Sequence, residues 1–203
     1  MNEPSIILRA ASPTFDEGLA FARYLDEAAE GFFRFMLGRR VAEIIATAYV
    51  RPDHDLSYQH VVFARRDKVI VGMVSAYTAE QHRRSSLQPL RQAAGKPALR
   101  MRAVTILCAP LLRIIDTIAE GDFYLQAIAV DKELRGHGVG SVLMDSVEDR
   151  ARACRSTRLS LHVSAKNQGA CSFYRRRGMT VESQWPKHLA IPGLGFLHMT
   201  KLL

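Results

Sequence analysis

The spacing of apolar residues divides the chain into segments of two periods. Residues 5–10 are a short apolar run ending at Arg9, and the Ala-Ser-Pro-Thr that follows offers Ser12 and Pro13 as helix-start residues, so a strand and then a helix are predicted. From residue 15 to about 37, Leu19, Phe21, Ala22, Leu25, Phe32, Phe33 and Met36 recur mostly at three and four, with Gly31 as a break between two helices. Residues 39–50 continue helically through Val41, Ile44, Ile45 and Ala48 until Pro52. Two β-branched runs, 59–64 and 69–77, are joined by residues 65–68 as an antiparallel hairpin, with Gly72 marking a bulge.

The second half repeats this logic. Residues 123–130, Phe-Tyr-Leu-Gln-Ala-Ile-Ala-Val, read as a buried strand. A glycine-rich turn follows, and then Val139, Val142, Leu143, Ser146, Val147, Ala151 and Cys154 fall on one helical stripe. Leu159, Leu161 and Val163 alternate as a strand, which makes strand, turn, helix and strand a right-handed βαβ unit with two parallel strands. Asn167 suits the cap of a last helix carrying Ala170, Cys171, Phe173 and Tyr174 and stopping at Gly178. Residues 179–184 and 196–202 close the pattern as strands around a loop at 186–195.

Composition adds limits. The 203 residues are 48% hydrophobic and 24% charged, enough to bury one sizeable core, so one domain spanning 1–203 is expected. The longest apolar stretch, 103–112, contains Thr105 and Pro110 and is too short for a bilayer, which takes roughly 20 residues. The amino terminus lacks the order of a signal peptide, and a cytoplasmic location without membrane partners is expected. Cys108, Cys154 and Cys171 have no paired spacing that suggests a disulfide framework or zinc site; they read as reduced, mostly buried residues, and no metal is expected.

A net charge of +8 favours anionic ligands or acidic partners. Residues 81–115 carry Arg83, Arg84, Arg91, Lys96, Arg100, Arg102 and Arg113 without one acidic residue. A solvated, partly mobile insertion is the expectation there. Nucleic acid is disfavoured because no aromatic residues interleave with these charges.

The densest chemical signal is Leu-Arg-Gly-His-Gly-Val-Gly-Ser, residues 134–141, between a strand and a helix. A helix start presents unpaired N–H groups and the positive end of its dipole. Gly136, Gly138 and Gly140 admit positive φ and carry no Cβ to hold a phosphate away. Arg135 adds a forked cation suited to phosphate oxygens. A Rossmann turn needs glycine at Ser141 or Leu143, and the P-loop needs Gly-Lys-Ser/Thr, so neither fits.

These residues resemble the signature of the GNAT N-acetyltransferase superfamily, Q/R-x-x-G-x-G/A after a strand, at Arg135, Gly138 and Gly140. Residues 167–179 are similar to its second segment, N-x-x-A-x-x-x-Y-x-x-x-G-F, at Asn167, Ala170, Tyr174 and Gly178, with Met179 in place of Phe. The resemblance implies an α/β (α+β) fold whose central sheet is mixed and mostly antiparallel, with about seven strands, one parallel splayed pair and flanking helices. A helical basic insertion at about 81–120 exceeds the family minimum.

Acetyl-CoA is the implied cosubstrate. Its pantetheine arm would bond the backbone of Ile128, Ala129 and Val130, its pyrophosphate would sit on Arg135, Gly136, His137, Gly138, Val139, Gly140 and Ser141, and Asn167 and Phe173 would touch the pantetheine or nucleotide. Tyr174 is the implied general acid for the leaving thiolate, and a main-chain N–H near Ile128 the oxyanion donor. The glutamate that histone-type members carry early in the fourth strand falls here on Tyr124, which leaves Glu27, Glu30, Glu120, Asp122 and His162 as open alternatives for the base. His162 alternates away from its apolar neighbours, toward the cleft or a helix. The implied function is acetyl transfer to a primary amine of a small molecule or protein in a ternary complex, with a homodimer admitted. The alternative is a non-catalytic acyl-CoA sensor.

Overall fold

Seven strands form one sheet in the order β1-β2-β3-β4-β5-β7-β6. They are β1 (Ile7–Ala10), β2 (Val61–Arg66), β3 (Val69–Thr78), β4 (Asp122–Val130), β5 (Arg158–Ser164), β6 (Thr180–Trp185) and β7 (Phe196–Leu202). The computed structural model describes residues 5–109, 117–186 and 195–203. Arg113 and most of the expected 186–195 loop therefore lie outside the described residues. Every neighbouring pair of strands is antiparallel except β4 and β5, which run parallel. The expected mixed sheet with one parallel pair is thus the observed architecture.

Helices cover both faces of the sheet. On one, α1 (Phe15–Ala28), α2 (Phe32–Leu37) and α3 (Val41–Tyr49) pack with β2, β3 and β4 around Phe21, Leu25, Ile44, Ile45, Phe63 and Met73. Gly31 has φ +83° and forms the break between α1 and α2 that the sequence predicts. The start of α1 lies two residues later than Ser12: Thr14 is its cap, and Glu17 reaches back to accept from the Ser12 amide at 2.7 Å while pairing with Arg9. On the opposite face α7 (Val139–Ala153) and α8 (Gln168–Arg176) cover Val74, Phe123, Leu125, Leu159, Leu161 and Met199.

The basic segment is better anchored than its charge suggests. It forms α4 (Ala79–Arg84), α5 (Gln88–Ala94) and α6 (Ala98–Leu107), and Leu90, Ala94, Met101 and Val104 are buried in the α1/α3 core. Arginines occupy the outer faces of these helices, together with the exposed Leu99, Ile106 and Leu107 of α6, while Leu90, Ala94, Met101 and Val104 point inward, so the charge run is the solvated side of a packed layer. The cysteines also differ from expectation. Cys171 alone is buried, Cys108 is half-buried and Cys154 is exposed, because α7 turns its carboxyl end toward solvent. Among the described residues no helix is long and apolar enough to cross a membrane, and no group of three or more His, Cys, Asp and Glu is arranged to hold a metal ion.

Candidate active site

The site begins at an irregularity in β4. Ser75 pairs with Ala127 but Ala76 pairs with Leu125, so Gln126 is an extra residue in β4. A bulge of this kind bends a strand and reverses the side-chain alternation beyond it. Accordingly Phe123 and Leu125 face the α7 side, whereas Ala127 and Ala129 face the α1 side. Parallel pairing of β4 with β5 runs from Asp122 to Leu125 and stops there, while β4 stays bonded to β3 as far as Val130. Ile128, Ala129 and Val130 therefore lie on the stretch of β4 whose β5-facing edge has no strand partner among the described residues. Backbone donors and acceptors left on such an edge are available to a ligand.

The glycine turn sits at the end of that edge. Gly136 and Gly138 have φ of +83° and +84°, and a Cβ added at either would meet nothing within 4 Å. Gly138 caps α7 with no side-chain hydrogen bond to the helix start. The first helical bond of α7 runs from Val142 N to Gly138 O at 3.1 Å. This leaves the amides of Gly138, Val139, Gly140 and Ser141 directed out of the helix start. The amides of Arg135 and His137 are bonded within the turn, to Lys132 O and Leu134 O at 3.3 Å each, so the His137 backbone is not among the outward donors.

Gly140 is helical rather than left-handed. It lies against α8, where a Cβ would stand 3.7 Å from the Phe173 ring. The Arg135 guanidinium donates to Val130 O at 3.1 Å and pairs with Glu27 of α1, bracing the turn against the first helix. Asn167 caps α8 through Oδ1, which accepts from the Ala170 amide at 3.0 Å.

Tyr174, next to Phe173 on α8, is 7% exposed. Its hydroxyl has no hydrogen-bond partner among the described residues. Burial pushes its phenol well above the ordinary value, so it remains a proton donor throughout the neutral range.

A second group of side chains lines the opposite side of the splay. The Tyr124 hydroxyl and His162 Nδ1 share a hydrogen bond at 3.3 Å. His162 stacks on His198 with ring centroids 4.6 Å apart and planes 16° apart, and His198 Nδ1 is 3.1 Å from Glu182 Oε2. Tyr77 lies 5.7 Å from Tyr124 and stacks on His82, which pairs with Asp55 at 2.9 Å. Burial, reinforced by His198, pushes His162 down to about 4 and keeps its ring neutral near neutral pH. Ser160, the register partner of Tyr124, keeps a buried Oγ with no hydrogen-bond partner among the described residues.

Of the other candidate bases, Asp122 and Glu27 are held by arginines, whereas Glu120 and Glu30 are exposed. Asp122 is held by Arg158 at 2.7 and 3.1 Å, Glu27 by Arg135, and Glu120 stands 4.0 Å from Arg83. Glu30 lines an open groove outside the splay with Arg23, Asp26 and Arg34. The position that sequence reading left vacant for want of a glutamate is occupied by Tyr124 with its His162 partner. Only the β4 to β5 register brings the two together.

The splayed parallel pair and the uncapped, glycine-rich helix start define a GNAT-type α/β fold. The family model for the acetyltransferase (GNAT) family matches residues 24–179, and the chain belongs to that family. A curated relative, N-alpha-acetyltransferase 60 of Danio rerio, is 32% identical over 76 residues, which are 35% of this chain and 31% of that protein. The match thus spans under a third of the relative's length. A solved acetyltransferase superposes with a TM-score of 0.68 at 22% identity, covering 97% of this chain and 98% of its own. An N-acetyltransferase from Staphylococcus aureus Mu50 gives 0.66 at 15%, covering 96% and 100%. At these identities the structures share the fold.

Proposed function

We propose that the protein is an N-acetyltransferase that moves an acetyl group from acetyl-CoA directly to a primary amine of a small molecule or protein. The observation that supports this reading is the end of β4 to β5 pairing at Leu125 and Leu161, with outward amides at one end of the gap and the Tyr124–His162 pair beside it. The residues fit the cosubstrate. The free edge of β4 suits amide-bearing pantetheine, and the α7 start suits a pyrophosphate. Acetyl-CoA supplies an activated acetyl thioester.

The chain's own residues then divide the work. An acceptor arrives as an ammonium and must lose a proton before its lone pair can attack. The Tyr124 oxygen takes that proton as its own passes to His162 Nδ1; because the buried imidazole holds a proton weakly, His162 acts as a relay that releases one from Nε2 to solvent, so one N–H bond of the acceptor breaks and water carries the proton away. A main-chain N–H near Ile128 holds the negative charge that develops on the carbonyl oxygen. Tyr174 donates its proton to the departing thiolate as the C–S bond breaks, and the proton shed by the acylated nitrogen on forming the amide restores the phenol. The curated relative's name directs the first choice of acceptor to an α-amino group.

Tyr174→Phe tests the reading with a free-thiol assay over a panel of amines and peptides. We expect kcat to fall by about a hundredfold with the KM for acetyl-CoA little changed. Unchanged turnover would remove Tyr174 from the chemistry. Acetyl-CoA binding without turnover of any acceptor would favour the sensor alternative.

A further inference from the structure

His198 lies outside the machinery just described, yet its contacts lead into it. β5 and β7 are antiparallel, and the register sets His162 directly opposite His198 on the face that also carries Tyr124. The two imidazoles are stacked face to face, so neither can rotate about χ2 without losing the other. His198 is itself fixed from the far side. Glu182 of β6 holds its Nδ1, and Arg158 holds Glu182 at 2.9 Å while also holding Asp122 at the base of β4. A chain of contacts thus runs from Asp122 through Arg158, Glu182 and His198 to His162 and the Tyr124 hydroxyl.

We propose that His198, anchored by Glu182, is a positioning residue for acyl transfer: its stacked ring aims His162 Nδ1 at the Tyr124 hydroxyl. This rests on the reading of Tyr124 and His162 as the proton acceptors. The stack has two separable consequences. As a flat surface it sets the orientation of the neighbouring ring, which any planar aromatic would do. As an imidazole, His198 loses proton affinity to burial, which Glu182 only partly offsets, yet the charge it takes up as pH falls stands against His162 and opposes protonation there. The groups that face this pair among the described residues are Tyr124 and Asp122 from β4, Arg158 from β5 and Glu182 from β6.

The two consequences are separated by His198→Ala and His198→Phe in the full chain. The His162 ring is followed by NMR as pH is lowered, its signal assigned with His162→Gln. Acetyl-CoA turnover is measured with a short peptide bearing a free α-amino group. His198→Ala is expected to lower kcat by about ten- to a hundredfold with the KM for acetyl-CoA nearly constant. His198→Phe keeps the flat ring and should restore most of that kcat. It should also raise the His162 titration midpoint, and the acid limb of the pH profile, by about half a pH unit or more.

Equal kcat in wild type, His198→Ala and His198→Phe, or a His162 midpoint unmoved in His198→Phe, overturns the proposal. Tyr124→Phe and His162→Gln report on the underlying reading. If both turn over as wild type, that reading fails and the role of His198 falls with it. If both are slow while the His198 variants show neither change, only the role of His198 is lost.

Discussion

Gly138 carries the most demanding single conformation at the site. Its φ of +84° is in the left-handed region, where a β-branched residue is strained, and the same residue ends the turn whose amides point outward. Gly138→Val should therefore weaken acetyl-CoA binding by about tenfold or more, measured calorimetrically, while the apolar contacts of α7 keep the fold intact. The glycine turn was legible at Gly136 and Gly138 because backbone freedom is written in the residue type. Gly140 departs from the expected positive φ, being helical, and a Cβ there would make ordinary contact with Phe173 at 3.7 Å, a neighbour that depends on where α8 lands. Tyr124 and His162 were less legible still. They are 38 residues apart, and their hydrogen bond exists because β4 and β5 are parallel and in a particular register.

At the level of elements, the basic segment shows how a few inward residues outweigh many outward ones. Leu90 is 4% exposed and lies in the α1/α3 core, so Leu90→Ala should destabilise the protein by about 2–4 kcal/mol in urea denaturation. Replacing Arg91, which is exposed on the same helix, should change stability by less than about 0.5 kcal/mol. A solvated, mobile insertion would show no difference between them.

Helix α7 carries the complementary lesson. Its apolar stripe was predicted to include Val142 and Cys154, yet both are exposed, while Met144 and Glu148 are buried. A carboxylate enters that face because Arg177 at 3.1 Å, Lys201 at 2.9 Å and Arg152 at 3.4 Å surround it. Burial alone would raise the Glu148 carboxyl, but Lys201 and Arg177 prevail and hold it below its ordinary value. Hydrophobic periodicity cannot register such a site, because its cations come from the residue that ends α8, from β7 and from α7 itself.

Across the whole molecule, buried histidines tie stability to pH. His60 and His162 are both pushed down to about 4, chiefly by burial, against about 6.5 in the unfolded chain. Between those values the unfolded state binds more protons than the folded one, so stability falls as pH drops from about 6.5 to about 4. Glu148 acts in the same direction at lower pH: its stabilisation is present above its unfolded value and is lost as pH falls through its depressed folded value. Urea midpoints should therefore decline steadily between about pH 7 and pH 4.5. His60→Phe, which retains a ring against Tyr77, should flatten part of the decline; an unchanged slope would mean that His60 does not contribute.

The amino-acid sequence by itself determined the order of strands and helices, the phosphate-suited turn and the family resemblance. Those properties reside in local periodicity and in residue types with few conformational options. The splayed pair came with that resemblance, whereas tertiary structure alone decided where its pairing stops, the direction of the arginine-rich helices and the union of Tyr124, His162, His198 and Glu182. The first follows the extra residue in β4, the second the packing of a few apolar residues on the α1/α3 core, and the third strand register. None is local: a bulge or a register is fixed by the energy of the assembled sheet and both its cores, summed over residues far apart in the chain.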